Sequence, residues 1–159
     1  MDKANKNYIS LILWILALVF IGFSIGYLTK PEISAWYSAL NRSSLTPPNY
    51  VFPIAWTILY GIIGACGWVI WRAQAFSQLS FIKTLYVTQL ILNWSWTPLF
   101  FHYHLTGYSL ICLLLMDIAV IMIIYLAYAR IRAVSLLMNP YLLWILFASY
   151  LNFYIWQYN

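Results

Sequence analysis

The chain has 159 residues, of which 65% are hydrophobic, 20% aromatic and only 7% charged, whereas an ordinary soluble domain is about 45–50% apolar and about 25% charged. This composition excludes a soluble globular domain. The formal net charge of +5 does not indicate nucleic-acid binding, because scattered cations separated by apolar and aromatic residues cannot follow a phosphate backbone. We therefore expect a membrane protein whose partner is the lipid bilayer, with no nucleic acid.

Long apolar segments predict five transmembrane helices. Three segments carry no charge, residues 7–29, 43–71 and 133–159, and each exceeds the ~20 residues that a helix needs to cross the hydrocarbon core. A further apolar stretch, 84–129, is divided by the turn-prone residues 102–107 and is long enough for two helices. We expect one all-α integral membrane domain, residues 1–159, with helices at about 8–28, 50–71, 82–101, 107–129 and 134–157.

The distribution of basic residues predicts an orientation. With five crossings, all lysines and arginines except Lys30 and Arg42 fall on the same side of the membrane. Cytoplasmic loops of membrane proteins are enriched in these residues. We therefore expect a cytoplasmic N-terminus and an extracytoplasmic C-terminus, in an integral protein of the bacterial inner (plasma) membrane.

The longest connection, residues 29–49, is called the lid segment below. Pro31 and Glu32 suit the first turn of a short helix. Four apolar residues then recur at the spacing of a one-sided helix: Ile33, Trp36, Tyr37 and Leu40. Pro47 and Pro48 force an extended entry into the second span. We expect a lid over the outer mouth of the bundle, with Trp36, Pro47 and Pro48 as its lid residues; the alternative is an interfacial helix that lies on lipid and covers no ligand.

Few polar side chains lie inside the predicted spans, and each needs a partner within the bundle. Gln89, Asn93 and Trp96 share one face of the third helix, where Pro98 cannot donate a backbone hydrogen bond and so predicts a kink. Asp117 lies near the middle of the fourth helix. It either joins helices through a hydrogen bond to a tryptophan, tyrosine or amide group, or it borders a ligand cavity, and the sequence leaves both open.

Aromatic residues recur on one face of the second and fifth helices. The second helix carries Phe52, Trp56 and Tyr60 at helical spacing, and the fifth helix, after an Asn139-Pro140 start signal, carries Tyr141, Trp144, Ala148 and Asn152. Contacts between membrane helices favour small residues, so wide indole rings are poor packers there. We therefore expect Trp56 and Trp144 to line an interior cavity suited to a flat aromatic ligand.

Small residues recur on the first two predicted helices. Gly22 and Gly26 form a GxxxG pair, which indicates a dimer seam on the first helix, and Gly61, Gly64 and Gly67 follow one another on the second helix. We expect close helix contacts at these positions and a homodimer.

Cysteines and histidines do not indicate a metal site. Cys66 and Cys112 lie in apolar runs without a CxxC partner, so we expect buried apolar side chains. His102 and His104, two residues apart near the outer interface, cannot both ligate one haem iron. We expect solvated interfacial histidines, no metal and no obligatory cofactor.

Several motifs occur in a fixed order along the chain. They are Trp36-Tyr37-Ser38-Ala39-Leu40; Thr46-Pro47-Pro48-Asn49 followed by Phe52, Trp56, Leu59 and Tyr60; Leu92-Asn93 with Trp96, Phe100 and Phe101; Asp117; and Pro140-Tyr141-Leu142 with Trp144, Phe147-Ala148, Leu151-Asn152 and Ile155. From about Trp36 onward, the chain resembles the TspO/MBR family of tryptophan-rich sensory proteins, which includes the mitochondrial translocator protein. It departs from the family pattern at the outer mouth, where Ser43-Ser44-Leu45, Ile54 and His102 replace the usual residues.

The resemblance implies a five-helix bundle, often dimeric, that binds protoporphyrin IX, haem, cholesterol-like sterols or benzodiazepine-site ligands below the first loop. The matching ligand-binding positions are Trp56, Asn93, Trp96, Trp144 and Ala148, with Tyr60 and Asp117 nearby. Some bacterial members are similar in catalysing light- and oxygen-dependent breakdown of protoporphyrin that needs the tryptophans matching Trp56 and Trp144. The resemblance thus implies a receptor-like tetrapyrrole-binding protein and leaves open whether those two residues are catalytic.

Two alternatives stand beside this hypothesis. A porphyrin or sterol transporter would need a continuous polar route, and the spans carry too few polar groups for an ion relay. A regulatory membrane interaction protein would need no route at all. A sterol-type pattern, Val120 with Tyr125 and Arg130, is weak evidence in any membrane helix, and no basic residue follows Arg132.

Overall fold

The structure is a computed structural model that describes residues 3–159, with the side chains of all of them except 3–6, 33 and 34. Within these residues the chain is entirely helical, which confirms the predicted all-α class. The helices are α1 (Lys3–Leu28), α2 (Lys30–Ala35), α3 (Val51–Arg72), α4 (Leu79–Thr97), α5 (Thr106–Ala127) and α6 (Arg132–Tyr158). A 3-10 turn at Tyr37–Ala39 and a π-helical turn at Pro98–His102 are the other helical segments of the described chain, and the connections between them are irregular.

Four of the described helices, α1, α3, α5 and α6, are long and apolar enough to cross a membrane. Helix α4 has 19 residues and is less apolar than the others because it carries Gln89, Asn93, Ser95 and Thr97. The structure therefore supports a membrane protein with four spans by length and composition. Gln89 and Asn93 are both buried, so the two amide side chains of α4 face the interior of the bundle.

Two prolines alter the predicted helix bounds. The third predicted helix, 82–101, ends as an α-helix at Thr97, and from Pro98 the backbone widens, so that the N–H of Tyr103 donates to the carbonyl of Pro98 at 3.0 Å. The interpretation of Asn139-Pro140 as a helix start is wrong, because α6 begins at Arg132 and contains Pro140. The Asn139 side-chain amide donates to the carbonyl of Ser135 at 2.7 Å, and this bond stabilises the turn that the proline interrupts.

The helices pack as a chain of neighbours: α1 against α3, α3 against α6, α6 against α5, and α5 against α4. The centre of the bundle is apolar, with Ile63, Leu113, Met116, Val120 and Ile145 all inaccessible. In lipid the contacts between helices are stabilised by close packing and by hydrogen bonds more than by burial from water. Polar side chains that bridge these helices therefore have a large influence on the geometry of the interior.

Glycines allow α1 to approach α3. A Cβ atom at Gly64 would come within 2.8 Å of the Cα atom of Ile15, and a Cβ atom at Gly22 would overlap the ring of Tyr60. A Cβ atom at Gly26 would meet nothing within 4 Å. Gly22 therefore allows a close contact between α1 and α3 of the same chain. The two glycines of the GxxxG pair are thus not both available for contact with a second copy.

The lid segment folds back onto one end of the bundle. Its short helix, α2, ends at Ala35, and the 3-10 turn that follows buries the Tyr37 ring. Tyr37 packs with Phe100 and Ile155 in an apolar cluster separate from the main core. The π-helical turn after Pro98 thus provides one of the surfaces on which the lid segment rests.

Candidate functional site

The predicted aromatic residues meet between α3, α4 and α6. They form an aromatic cluster that consists of Phe52, Trp56, Tyr60, Trp96 and Trp144. The ring of Trp56 is central, with centroid distances of 5.7 Å to Tyr60, 6.3 Å to Trp96 and 6.4 Å to Trp144. Phe52 extends the cluster, 6.1 Å from Trp144. Three helices that are distant in the sequence therefore contribute to one aromatic site.

The two tryptophans that we expect to line a slot are in direct contact. The planes of Trp56 and Trp144 are at 87°, an edge-to-face arrangement of the kind that aromatic pairs prefer. In this arrangement the two rings do not present parallel faces with a gap between them. A flat ligand that stacks between the two rings would have to separate them, so ligand entry at this position requires a movement of side chains.

A chain of buried hydrogen bonds lies beside the aromatic cluster, and we call Tyr60, Asn93, Tyr141 and Gln89 the polar chain. The hydroxyl of Tyr60 donates to Asn93 Oδ1. Asn93 Nδ2 donates to the Tyr141 hydroxyl at 2.9 Å, and that hydroxyl donates to Gln89 Oε1 at 2.9 Å. The polar chain joins α3, α4 and α6 and holds Tyr60 in place. Helical spacing places Gln89 on the face of Asn93 and Tyr141 on the face of Trp144, but it does not assign either residue to the ligand site; the structure joins both to Tyr60 and Asn93.

Trp96 is fixed by a second group of hydrogen bonds, the Asn152 junction. Its indole N–H donates to Asn152 Oδ1 at 3.1 Å, and the Ser109 hydroxyl donates to the same oxygen at 2.8 Å. Asn152 Nδ2 donates to the carbonyl of Thr106 at 2.7 Å. Since the polar atom of Trp96 is used within the protein, this residue offers a ligand only its ring.

Asp117 bridges α5 and α6 and keeps one oxygen unused. Its Oδ2 atom accepts a hydrogen bond of 2.8 Å from the Ser149 hydroxyl, whereas the buried Oδ1 atom has no partner. The interhelical bond that we expect is thus present, but a serine is the donor rather than a tryptophan, tyrosine or amide group. Ala148, the residue before Ser149, is buried in the main core.

Further buried polar atoms lack a partner in the same region. They are Trp144 Nε1 in the aromatic cluster, Gln89 Nε2 at the end of the polar chain, and Trp94 Nε1. A buried donor or acceptor without a hydrogen bond costs about 1–3 kcal/mol, so each requires an explanation. The interior thus contains donors at Gln89 and Trp144 and an acceptor at Asp117 that a polar ligand atom or a water molecule could satisfy.

The lid segment is tied to the connection between α4 and α5 by His104. The imidazole stacks on Trp36 with a centroid distance of 4.1 Å, and its Nε2 atom lies 3.5 Å from Glu32 Oε2. His104 has a φ of 55°, a backbone conformation that is uncommon for a residue with a side chain. His104 is exposed, as expected for an interfacial histidine, and it also contacts the lid segment, whereas His102 is exposed and contacts the ring of Tyr103.

Tyr37 anchors the centre of the lid segment. Its side chain is buried, and burial raises the pKa of the phenol, although the nearby Arg42 guanidinium opposes this shift. The Arg42 guanidinium lies 5.1 Å from the centre of the Tyr37 ring. The phenol is therefore neutral at physiological pH, and the arginine interacts with the face of an uncharged ring.

The second half of the lid segment is held by α6. Ser43 and Tyr150 share a hydroxyl hydrogen bond of 2.9 Å, and the Asn159 side chain binds both the backbone N–H and the carbonyl of Asn41, at 2.8 and 3.1 Å. The lid residues Pro47 and Pro48 line an open depression of about 600 Å³. Its walls belong to the lid segment itself, and it does not include the aromatic cluster.

Cysteines take the places that we expect. Cys66 and Cys112 are both buried free thiols, and the Cys112 thiol donates to the carbonyl of Leu92 at 3.2 Å. Across residues 3–159, no three histidine, cysteine or acidic side chains lie close enough together to hold a metal ion. The chemistry of the described interior is that of aromatic rings, hydroxyls, amides, two thiols and a single carboxylate.

Comparisons with known proteins show which family the chain belongs to. The TspO/MBR family profile matches residues 14–157. The tryptophan-rich protein TspO of Archaeoglobus fulgidus is 40% identical over 153 residues, which cover 96% of this chain and 99% of that protein. The TspO of Chlorobaculum tepidum is 35% identical, covering 98% and 99%, and the translocator protein of Bos taurus is 35% identical, covering 87% and 83%. The chain therefore belongs to the TspO/MBR family.

Proposed function

We propose that the protein binds flat hydrophobic ligands, specifically tetrapyrroles such as protoporphyrin IX or haem, at the aromatic cluster. The observation that carries this proposal is the buried indole N–H of Trp144, which has no hydrogen-bond partner among the described residues and lies in an otherwise aromatic site. A tetrapyrrole combines a wide π face, which aromatic rings bind well, with polar groups that can accept this hydrogen bond. The unused Asp117 oxygen could accept a bond from a pyrrole N–H.

Ligand entry on this proposal requires two movements. The Trp56 and Trp144 rings have to leave their edge-to-face contact, and the lid segment has to release the end of the bundle. The lid segment is held there by the partly exposed Glu32–His104 pair and the Trp36 stack, both of which are weak enough to exchange with water. The protein is then a receptor whose site opens when the ligand arrives.

An absorbance titration tests the proposal. Purified protein in detergent is titrated with protoporphyrin IX and, separately, with haem, and we expect a saturable shift of the Soret band for at least one of them. The bound porphyrin should also quench tryptophan fluorescence, since the rings of the aromatic cluster would lie against it. A Soret band that stays unshifted at high protein concentration for both compounds would reject the proposal.

Degradation of the bound porphyrin is a separate proposal for Trp56 and Trp144. The contact between the two rings supports it, because both indoles would lie against the same ligand. Under illumination in air we expect the absorbance of bound protoporphyrin to decay faster with the wild-type protein than with a Trp56→Phe, Trp144→Phe variant that is saturated with ligand. Equal decay rates would leave a binding protein without this activity.

A transporter is less well supported by the geometry. The polar chain ends at Gln89, which is inaccessible, and its other end, Tyr60, is also buried. Within the described residues this chain therefore does not connect two surfaces by a polar route, which an ion-coupled transporter needs. We therefore propose ligand binding and sensing as the function. We also propose that the protein is a homodimer, which chemical cross-linking in membranes would test.

We further propose that α4 is a fifth crossing. Its 19 residues span about 28 Å at 1.5 Å per residue, close to the ~30 Å of the hydrocarbon core. Its polar residues Gln89 and Asn93 are hidden from lipid by the neighbouring helices. With five crossings the termini lie on opposite sides, so a reporter fused after Asn159 should be extracytoplasmic and one before Met1 cytoplasmic. Two reporters on the same side would reject the fifth crossing.

A further inference from the structure

A groove on the lipid-facing surface lies between α5 and α6, away from the aromatic cluster. It has a volume of about 340 Å³ and is lined by Ile121, Ile124, Tyr125, Tyr128, Ser135 and Leu142. This volume falls within the ~300–1,000 Å³ that is usual for small-molecule sites. None of the lining residues belongs to the aromatic cluster, the polar chain or the Asn152 junction, so the groove requires its own explanation.

The walls of this α5–α6 groove are largely apolar, and part of them is exposed. Ile121 is 47% exposed and Tyr125 is 80% exposed, so both side chains project outward rather than into the core. In a membrane such side chains face lipid. Tyrosines are enriched where the hydrocarbon meets the headgroups, and Tyr125 and Tyr128 place this end of the groove at that depth.

Two arginines follow the groove at the same end. Arg130 and Arg132 are both exposed and lie in or next to the short connection between α5 and α6, and the Arg132 guanidinium lies 5.5 Å from the centre of the Tyr128 ring. Of the described carboxylates, Glu32 pairs with His104 and Asp117 is buried beside Ser149. Among residues 3–159, the two arginines therefore have no carboxylate partner.

We propose that the α5–α6 groove binds an anionic phospholipid, with an acyl chain along the apolar walls and the phosphate between Arg130 and Arg132. The apolar groove fits a hydrocarbon chain, and the uncompensated positive charge at its end fits an anionic headgroup. Tyr125 and Arg130 also belong to the sterol-type pattern in the sequence. Two positive charges favour a phosphate-bearing lipid over a sterol, which offers a single neutral hydroxyl.

The charge requirement can be tested by native mass spectrometry of the full chain in detergent. The protein is titrated with phosphatidylglycerol or phosphatidylcholine of the same acyl composition, and we expect tighter retention of phosphatidylglycerol. An arginine near a membrane surface contributes about a fivefold gain in affinity for anionic lipid. We therefore expect Arg130→Gln with Arg132→Gln to weaken phosphatidylglycerol binding by roughly 20- to 30-fold.

A charge-matched control is available at the ends of other helices. Arg72 donates to the Asn7 side chain at 2.8 Å and Lys83 lies over the Trp71 ring, and neither residue lines the α5–α6 groove. The double substitution Arg72→Gln with Lys83→Gln removes the same charge and should change phosphatidylglycerol binding less than twofold. Equal losses in the two double variants would overturn the proposal, since net charge alone would then explain binding.

A larger side chain in the α5–α6 groove tests whether the acyl chain binds there. Ile121→Trp should displace the acyl chain and weaken phosphatidylglycerol binding at least fivefold, whereas Ile118→Trp, at a 55% exposed position outside the groove, should not. Both positions are exposed, so both variants are expected to fold. The proposal is overturned if the two variants behave alike, if phosphatidylcholine binds as tightly, or if inorganic phosphate alone binds as tightly as the lipid. The readout does not involve a tetrapyrrole and is independent of the proposed function.

Discussion

Trp96 and Trp144 belong to the same aromatic cluster but differ in how their indole N–H groups are used. The Trp96 group donates to Asn152, in a junction where three helical segments meet, while the buried Trp144 group has no partner. A hydrogen bond within the protein fixes the orientation of the indole ring. An indole N–H without such a bond can donate to a ligand instead. We call the surroundings of Trp96 the fixed side of the cluster, because this indole is held by the protein. We call the surroundings of Trp144 the responsive side, because its indole N–H can bind a ligand.

The fixed side depends most on Asn152. We expect Asn152→Leu to lower the free energy of unfolding by about 2–4 kcal/mol, because the Trp96 and Ser109 donors and the Thr106 carbonyl lose their common partner. Thermal denaturation in detergent, followed by tryptophan fluorescence, measures this loss. Gln157→Leu, at an exposed position of the same helix, is the control and should change stability little. Similar effects of both substitutions would contradict a special role of the Asn152 junction.

The position of Tyr60, which belongs to both the aromatic cluster and the polar chain, depends on Gly22. We expect Gly22→Ala to destabilise the protein by about 1–3 kcal/mol, because the added methyl group overlaps the Tyr60 ring, and to weaken protoporphyrin binding. Gly26→Ala is the matched control, since nothing lies within 4 Å of its Cβ position. It should leave stability unchanged or slightly higher. Equal destabilisation by the two variants would indicate that Gly26 lies in a contact with a second copy.

The same substitution at both tryptophans tests the comparison directly. Trp96→Phe should cost about 1–2 kcal/mol of stability because Asn152 loses a donor, whereas Trp144→Phe removes an unpaired N–H and should leave stability nearly unchanged. Trp144→Phe should instead weaken protoporphyrin binding about two- to tenfold, and Trp56→Phe should do the same, through lost stacking.

Trp71→Phe is the control for the tryptophan variants. Trp71 is 41% exposed and lies outside the aromatic cluster, so we expect no change in protoporphyrin affinity. If Trp71→Phe weakens binding as much as Trp144→Phe, the porphyrin partitions onto the apolar exterior and the proposed site is wrong.

The two oxygens of Asp117 allow the same comparison, because Oδ2 accepts a hydrogen bond from Ser149 and Oδ1 is unused within the described residues. Ser149→Ala removes the bond to Oδ2 and should lower stability by about 0.5–1.5 kcal/mol without changing ligand affinity. Asp117→Asn replaces an acceptor by a donor and should weaken protoporphyrin binding severalfold while the protein remains folded. Denaturation and the Soret titration measure the two effects separately. Unchanged affinity in Asp117→Asn would assign the carboxylate to helix contact alone.

The smallest effect is expected in the lid segment. The Glu32–His104 pair is partly exposed, with side chains 34% and 40% accessible, so Glu32→Gln should cost less than about 1 kcal/mol. Hydrogen exchange of the backbone amides in residues 30–40 should nevertheless accelerate. Unchanged exchange would show that the Glu32–His104 pair does not contribute to holding the lid segment.

Composition and periodicity alone determined the class of protein and most of the helices. Apolar segments of sufficient length predict membrane helices because the backbone in lipid has to satisfy its own hydrogen bonds, and four of the predicted spans meet that criterion in the structure. Helical spacing also placed Trp56, Tyr60, Asn93 and Trp144 on inward faces, since one face of a helix repeats every three or four residues.

Only the tertiary structure decided which polar groups form hydrogen bonds with each other. Helix periodicity gives the face on which a side chain lies but not its partner on another helix. It could not predict that Ser149 is the donor to Asp117 or that Asn152 holds Trp96. A proline is equally ambiguous in the sequence, because Pro140 suits a helix start yet lies inside α6 where neighbouring helices and the Asn139 amide support the backbone. Contacts between distant segments, rather than local preference, set these details.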